Sequence, residues 1–239
     1  LSLTGIGFAS AAGSNANSVA EYVIAALLEL GHKYKFRLRD KALGVIGVGN
    51  VGSKVVRYAR ALGMRVLQND PPLGLLEPAT EADIVTLHVP LDDTTRRMFH
   101  HDNLDGFFLL NTSRGPVVDN RALLKAIDGD RIPAAVLDVW ENEPNISPEL
   151  LDVVDLGTPH IAGYSFDGKV AGTRMIYEAA CRHFNLPATW QPSLPAAPPL
   201  QVTLDPATDE EDSLREVIAR VYDITADDAR LRADAQIGR

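Results

Sequence analysis

From Asn15 onward, apolar residues recur at helical spacing, with Val19, Tyr22, Val23, Ala26, Leu27 and Leu30 in NANSVAEYVIAALLEL and no proline to interrupt them. The spacing predicts a helix. After a polar connection through Lys41, ALGVIGVGNVGSKVVRYARALGMRVLQND reads as a short apolar strand, a glycine turn, a helix and a second strand ending at Asp70. Such a strand, turn, helix and strand form one mononucleotide-binding half of an α/β sheet. Next come ADIVTLHVPL and GFFLLNTS, apolar runs short enough for buried parallel strands, and then PAAVLDVW and DVVDLGTPHI, which predict two more. NRALLKAIDG between them supplies a helix, and GKVAGTRMIYEAACRHF a further one. Strands alternating with helices predict an α/β fold with a doubly wound parallel sheet, its ligand lying across the carboxyl ends of the strands.

The pattern breaks at about Leu186, where prolines fall at 187, 192, 195, 198, 199 and 206, as expected of a linker. Beyond it, Leu214, Val217, Ile218, Val221 and Tyr222 form an apolar stripe on a helix whose first turn is acidic. One helix cannot bury such a stripe alone, so it packs either on its own domain or on a partner.

Composition narrows the classes of function. The chain has 239 residues, 46% hydrophobic and 23% charged, which is ordinary for a globular protein and excludes disorder and collagen. A formal charge of -9 would repel a phosphate backbone and an anionic membrane surface, so neither nucleic acid nor lipid is an expected partner. Nor does any apolar run reach the roughly 18 residues of a membrane span. The single cysteine, Cys181, cannot form an internal disulfide and fits a reducing cytoplasm.

Gly47, Gly49 and Gly52 satisfy G-x-G-x-x-G between a predicted strand and a predicted helix. In that context the backbone N–H groups would face a pyrophosphate at the positive end of the helix. Asp70 falls 18 residues after Gly52, at the end of the second strand, where a carboxylate accepts hydrogen bonds from adenosine ribose hydroxyls. It would also repel a 2′-phosphate, and no arginine directly follows it, so NAD is favoured over NADP. The other reading is a glycine-rich turn in a sheet that serves a different ligand.

Three more predicted strands end in polar residues, at NTSRGPVVDN, LDVWENEP and TPHIAGY. Hydride transfer to a nicotinamide needs a cation to hold an anionic substrate and a base for the hydroxyl proton. Arg114 and His160 have those chemistries, and Glu143 is the candidate carboxylate to orient the imidazole. Each alone also fits a surface, capping or core position. No histidine has metal-ligand spacing with a second histidine or cysteine, so no metal is expected, and Ser113 lacks the G-x-S-x-G of a hydrolase elbow.

Together the motifs resemble those of the D-2-hydroxyacid dehydrogenase family, through GVGNVG, NTSRGPVVD, DVWENEP and TPHI. A narrower resemblance, to the members that oxidise 4-phospho-D-erythronate in vitamin B6 biosynthesis, rests on FASAAGSNANSVAEYV, NDPP, VVDN, the tryptophan of DVWENEP and PHIAGYSFDGKVAGT. It runs from about Gly5 to Phe184, and over VYDITADDARLR near the end. By this resemblance Arg114 binds the substrate carboxylate, His160 is the acid–base and Glu143 supports it. The cofactor residues are Gly47, Gly49, Asn50, Val51, Gly52, Asp70, Asp138 and Gly163, with Tyr164 at the substrate. The implied reaction oxidises a phosphorylated 2-hydroxy acid to the 2-oxo acid with NAD as acceptor.

The resemblance also implies an organisation. Residues 1–14 would end a substrate domain whose remainder is missing, 15–170 form a Rossmann-type NAD-binding domain, and 171–185 a return helix. A linker at 186–208 would then lead to a partial C-terminal dimerisation region at 209–239, giving a homodimer. The stretch from Asp70 to Asp83, and HHDNLDGFFLL, are shorter than the resemblance leads one to expect. Two other readings stay open: another D-2-hydroxyacid dehydrogenase, such as one acting on 3-phosphoglycerate, and a non-catalytic NAD-binding remnant.

Overall fold

A computed structural model describes residues 7–196 and 201–237. The expectations for residues 1–6, and for Pro198 and Pro199, therefore lie outside the described residues. Helix α1 (Ala16–Tyr34) leads into β1 (Ala42–Ile46), α2 (Gly52–Ala61), β2 (Arg65–Asp70), the two-residue β3 (Leu75–Leu76), and β4 (Ile84–Leu87). Then follow β5 (Phe108–Asn111), α3 (Asn120–Asp128), β6 (Ala135–Leu137), α4 (Pro148–Val153), β7 (Leu156–Gly157) and α5 (Phe166–His183). The described chain closes with α6 (Glu210–Val221) and α7 (Ile224–Ile237).

The strands form one sheet in the order β3-β2-β1-β4-β5-β6-β7, parallel throughout except where β3 pairs antiparallel with β2. Because strand side chains alternate, the apolar runs feed two cores. Leu43, Val45, Ile84, Leu110 and Val136 face α1 and α2, while Ile46, Val85, Leu87, Leu109 and Leu137 face α3 and α4. Strand order reverses between β1 and β4, which is where an open α/β sheet leaves a crevice for a ligand.

Three features depart from the predicted alternation. Between β2 and β4 there is no crossover helix: Asp70 to Asp83 folds into short 3₁₀ turns around β3 and lies flat on the sheet. A side chain at Gly44 would stand 1.9 Å from the carbonyl oxygen of Ala79, so the glycine is what lets this segment lie so close. The segment between β4 and β5 holds no helix, only turns, irregular chain and a single bridge from Phe99 to Val118, and its first turn is organised by the Asp92 carboxylate, which accepts from the N–H groups of Thr94 and Thr95. In DVVDLGTPHI only Leu156 and Gly157 are strand. Its first residues finish α4 instead, because Ser147 caps that helix by accepting from the Leu150 N–H and Pro148 occupies the first turn.

Part of the predicted stripe on α6 packs on its own domain: Leu214, Ile218 and Tyr222 lie against the α1 core, the Tyr22 and Tyr222 rings are 6.3 Å apart, and Val221 stays 74% exposed. Charge reinforces the contact, since Glu211 accepts from the Leu38 and Arg39 N–H groups and Arg37 pairs with Asp209 and Asp212. The linker has no helix or strand over its described residues, and the backbone N–H groups of Thr189 and Trp190 donate to the Tyr177 hydroxyl on α5. Helix α7, which no periodicity announced, closes the β7 edge of the sheet. Asp228 accepts from the Gly157 N–H, and Arg232 donates to the carbonyls of Leu151 and Val154.

Candidate active site

The glycine loop sits at the point where strand order reverses. Gly47 has φ of 86°, and a side chain on it would come within 2.6 Å of the His88 carbonyl oxygen. At Gly52 a Cβ would fall 1.9 Å from the Gly47 carbonyl oxygen, so the first turn of α2 can lie against the loop only as glycine. Nothing lies within 4 Å of the side-chain position of Gly49, which leaves the backbone open to a ligand. Asn50 is exposed, and Val51 opens α2 half-buried. Asp70 reaches back from β2, its Oδ2 accepting from the Val48 N–H at 2.7 Å. The carboxylate thus fixes the loop, and Oδ1 has no hydrogen bond among the described residues. An open pyrophosphate cradle beside a carboxylate at the end of β2 is what a dinucleotide requires, and these residues fit it.

His88, at the end of β4, lies between the glycine loop and β5. Its Nε2 is 3.0 Å from the Thr86 hydroxyl and its Nδ1 3.3 Å from that of Thr112. Burial pushes its pKa down to about 3, so the ring is neutral at physiological pH.

The acid–base candidates leave the carboxyl ends of neighbouring strands: Arg114 after β5, Glu143 after β6 and His160 after β7. Glu143 Oε2 lies 2.8 Å from His160 Nδ1, and Glu143 Oε1 accepts from the Trp140 N–H at 2.7 Å. The carboxylate is therefore held at one oxygen while the other takes the Nδ1–H, which leaves the Nε2 lone pair to act as a base. His160 itself has φ of 59°, a left-handed conformation costly for a residue with a side chain. Its N–H donates to the Asp138 carbonyl at 2.7 Å.

Asp138 is buried, and both its carboxylate oxygens are engaged. Oδ1 accepts from the Thr158 hydroxyl and the Ile161 N–H, and Oδ2 from the Ala162 N–H. Burial raises its pKa against the pull of these donors. In the same chain of bonds, the Tyr22 hydroxyl on α1 lies 2.7 Å from that of Thr158, and Trp140 Nε1 donates to the Thr158 carbonyl. Asp138 thus holds the loop that carries His160.

Arg114 is exposed. Its Nη1 donates to the Ser113 carbonyl, and it forms no ion pair among the described residues. The loop bearing it is tied to the Glu143 loop by a reciprocal pair: the Asn120 N–H donates to Glu141 Oε2, and the Glu141 N–H to Asn120 Oδ1. Gly163 lies against Asn15, and Tyr164 is exposed beside Lys169. No spacing in the sequence marks Tyr22, Thr158 or Trp140 as members of this network, because hydrogen bonds between distant elements leave no such signature. Elsewhere, His100, His101 and Asp102 bring ligand-type atoms within 4.8 Å of one another in an exposed turn. No helix among the described residues is long and apolar enough to cross a membrane.

This fold and site define a class. Residues 28–162 match the family model described as D-isomer specific 2-hydroxyacid dehydrogenase, NAD binding domain, and the chain belongs to that family. Among curated proteins, it is 44% identical over 261 residues to an erythronate-4-phosphate dehydrogenase of Salinibacter ruber, covering 98% of this chain and 67% of the relative. A protein of the same name from Yersinia pestis is 42% identical over 248 residues, covering 95% of this chain and 66% of that one. The chain thus spans about two thirds of the length of these relatives. Among solved structures, the NAD complex of a formate dehydrogenase from Staphylococcus aureus aligns with a TM-score of 0.63 at 24% identity, covering 72% of this chain and 63% of that one.

Proposed function

We propose that the protein oxidises 4-phospho-D-erythronate to its 2-oxo acid, the activity its curated relatives are named for, with Arg114, Glu143 and His160 as the working residues. The observation that carries this reading is the 2.8 Å contact between Glu143 and His160 Nδ1, one strand over from the Arg114 loop. NAD supplies the hydride acceptor when bound. Arg114 holds the substrate carboxylate with its outward guanidinium nitrogens, since a planar fork matches a carboxylate. His160 Nε2 takes the hydroxyl proton as hydride leaves the same carbon, and Glu143 stabilises the resulting imidazolium. Asp70 favours NAD by accepting from ribose hydroxyls. Gly49, Asn50, Val51, Asp138 and Gly163 line the cofactor's path and Tyr164 meets the substrate, and Asp138 also holds the His160 loop. The same reading includes a homodimer in the cytoplasm, and light scattering on the purified chain checks the assembly.

Single-turnover NADH formation, with the chain in excess over 4-phospho-D-erythronate, tests the proposal without slow product release masking the chemistry. Signal is expected, and it should vanish in Arg114→Ala and His160→Ala. No signal from a chain that demonstrably binds NADH would sink the reading and leave a cofactor-binding fold without this chemistry.

A further inference from the structure

A second group of titratable side chains lies on the connection between β4 and β5. One ligand-type atom from each of His100, His101 and Asp102 falls within 4.8 Å of the other two, and only here among the described residues do three such side chains meet. The Asp102 carboxylate stands between the rings, with Oδ1 2.9 Å from His101 Nε2 and Oδ2 3.5 Å from His100 Nδ1. Contiguous histidines have none of the spacings that mark a metal site in a sequence, so it is the turn that makes this group.

The backbone beneath it is fixed. Phe99 and Leu104 on either side are buried, and the N–H groups of Asn103 and Leu104 both donate to the His100 carbonyl. The His100 N–H donates to Asn103 Oδ1 at 2.8 Å, and Arg131 Nη1 donates to the His101 carbonyl at 2.8 Å. The side chains of His100, His101 and Asp102 are 41%, 76% and 67% exposed, so they can rotate above this frame. Tetrahedral zinc sets its ligand atoms about 3.3 Å apart, a spacing that the two contacts of Asp102 already bracket. His100 Nδ1 accepts from the Asp102 N–H at 3.4 Å, which makes it the deprotonated nitrogen a metal requires, and a bond that long gives way easily.

Two imidazoles with one carboxylate suit zinc and its neighbours in the first transition row, whereas calcium and magnesium take oxygen ligands. A net charge of -9 favours cations over the whole surface. We propose that His100, His101 and Asp102 bind a divalent ion of the zinc class, with water in the fourth position. The ion braces the connection at a point tied to the substrate clamp, because the Phe99 N–H donates to the Val117 carbonyl and the Phe99 carbonyl accepts from the Asp119 N–H, in the loop that follows Arg114. The site uses no residue of the acid–base pair or the glycine loop, and so stands apart from the dehydrogenase reading.

Zinc chloride titrated into the full chain, by calorimetry and by backbone amide shifts of labelled protein, tests the assignment. One saturable site is expected, with the amides of His100, His101, Asp102 and Asn103 moving and magnesium chloride leaving them in place. Affinity should fall roughly tenfold to a hundredfold in His101→Ala and in Asp102→Asn. It should be unchanged in His160→Ala, which separates this site from the contact between His160 and Glu143. No saturable binding, amide shifts confined to another part of the chain, or equal affinity in both turn variants would each overturn the proposal. Urea midpoints without zinc check that the variants fold, and if either variant is destabilised the amide shifts of the unmodified chain decide the site.

Discussion

At the scale of single residues, what distinguishes this site is how few atoms are left free. Glu143 spends one oxygen on the Trp140 N–H and the other on His160, so the imidazole has one available nitrogen. Replacing His160 with alanine should lower kcat by roughly a hundredfold to ten-thousandfold, as loss of a general base does. Glu143→Gln should lower kcat less and shift the pH profile, because the ring keeps a hydrogen-bond partner but loses the charge that stabilises the imidazolium. Asp70→Ala should lower the ratio of NAD to NADP utilisation, read from kcat/KM with each cofactor. His88 gives a pH prediction with a definite sign. Its folded pKa lies far below the unfolded value of about 6.5, so the unfolded chain binds the extra proton and stability falls as pH drops from 6.5 towards 3. Between pH 7 and 5 this group should account for about 2 kcal/mol of lost stability. Urea midpoints at both pH values, compared with those of His88→Gln, isolate that share.

At the scale of elements, the short strands are less important than the ties between the loops that follow them. The chain of bonds from Tyr22 on α1 through Thr158 to Asp138 joins a helix at the start of the domain to the loop bearing His160. Thr158→Val should leave the buried Tyr22 hydroxyl without a partner, costing about 1–3 kcal/mol in urea unfolding, and should lower turnover as the His160 loop loosens. The sheet's far edge depends on α7 in the same way. Asp228→Ala removes the acceptor for the Gly157 N–H and the partner of Arg232, and a destabilisation of about 1–3 kcal/mol is expected by the same measurement.

At the scale of the whole molecule, a parallel sheet with two buried faces places every candidate group at one end. The glycine loop follows β1, His88 follows β4, and Arg114, Glu143 and His160 follow the next three strands in spatial order. The C-terminal helices α6 and α7 brace this sheet from α1 and from the β7 edge. A chain ending before α6 should unfold at lower urea and expose the apolar face of α1, visible as dye binding, while keeping the glycine loop and its affinity for NADH.

Much of this was legible in the sequence because the signals are local. Helix α1, the strand, turn, helix and strand from Ala42 to Asp70, and α3, α5 and α6 all follow from apolar spacing, caps and glycines within a few residues of one another. The candidate site residues were likewise visible, as polar residues ending apolar runs. What the sequence did not reveal depends on contacts across long separations. The flat crossover on Gly44, the antiparallel β3, the helical rather than strand start of DVVDLGTPHI, and α7, whose apolar residues line no single face, are set by what each segment meets in the fold. The stripe on α6 left its own domain and a partner equally open; the position of α1 beside it covers Leu214, Ile218 and Tyr222 and leaves Val221 exposed. The same holds for Asp138: sequence likeness implied a place at the cofactor, and folding alone brings to its carboxylate three donors from a loop some twenty residues further along the chain. Local sequence determined which elements form and which chemistries they carry, because backbone preference and burial pattern act over a few residues. Tertiary structure alone decided which polar groups remain free to react, because that depends on partners brought together only by folding.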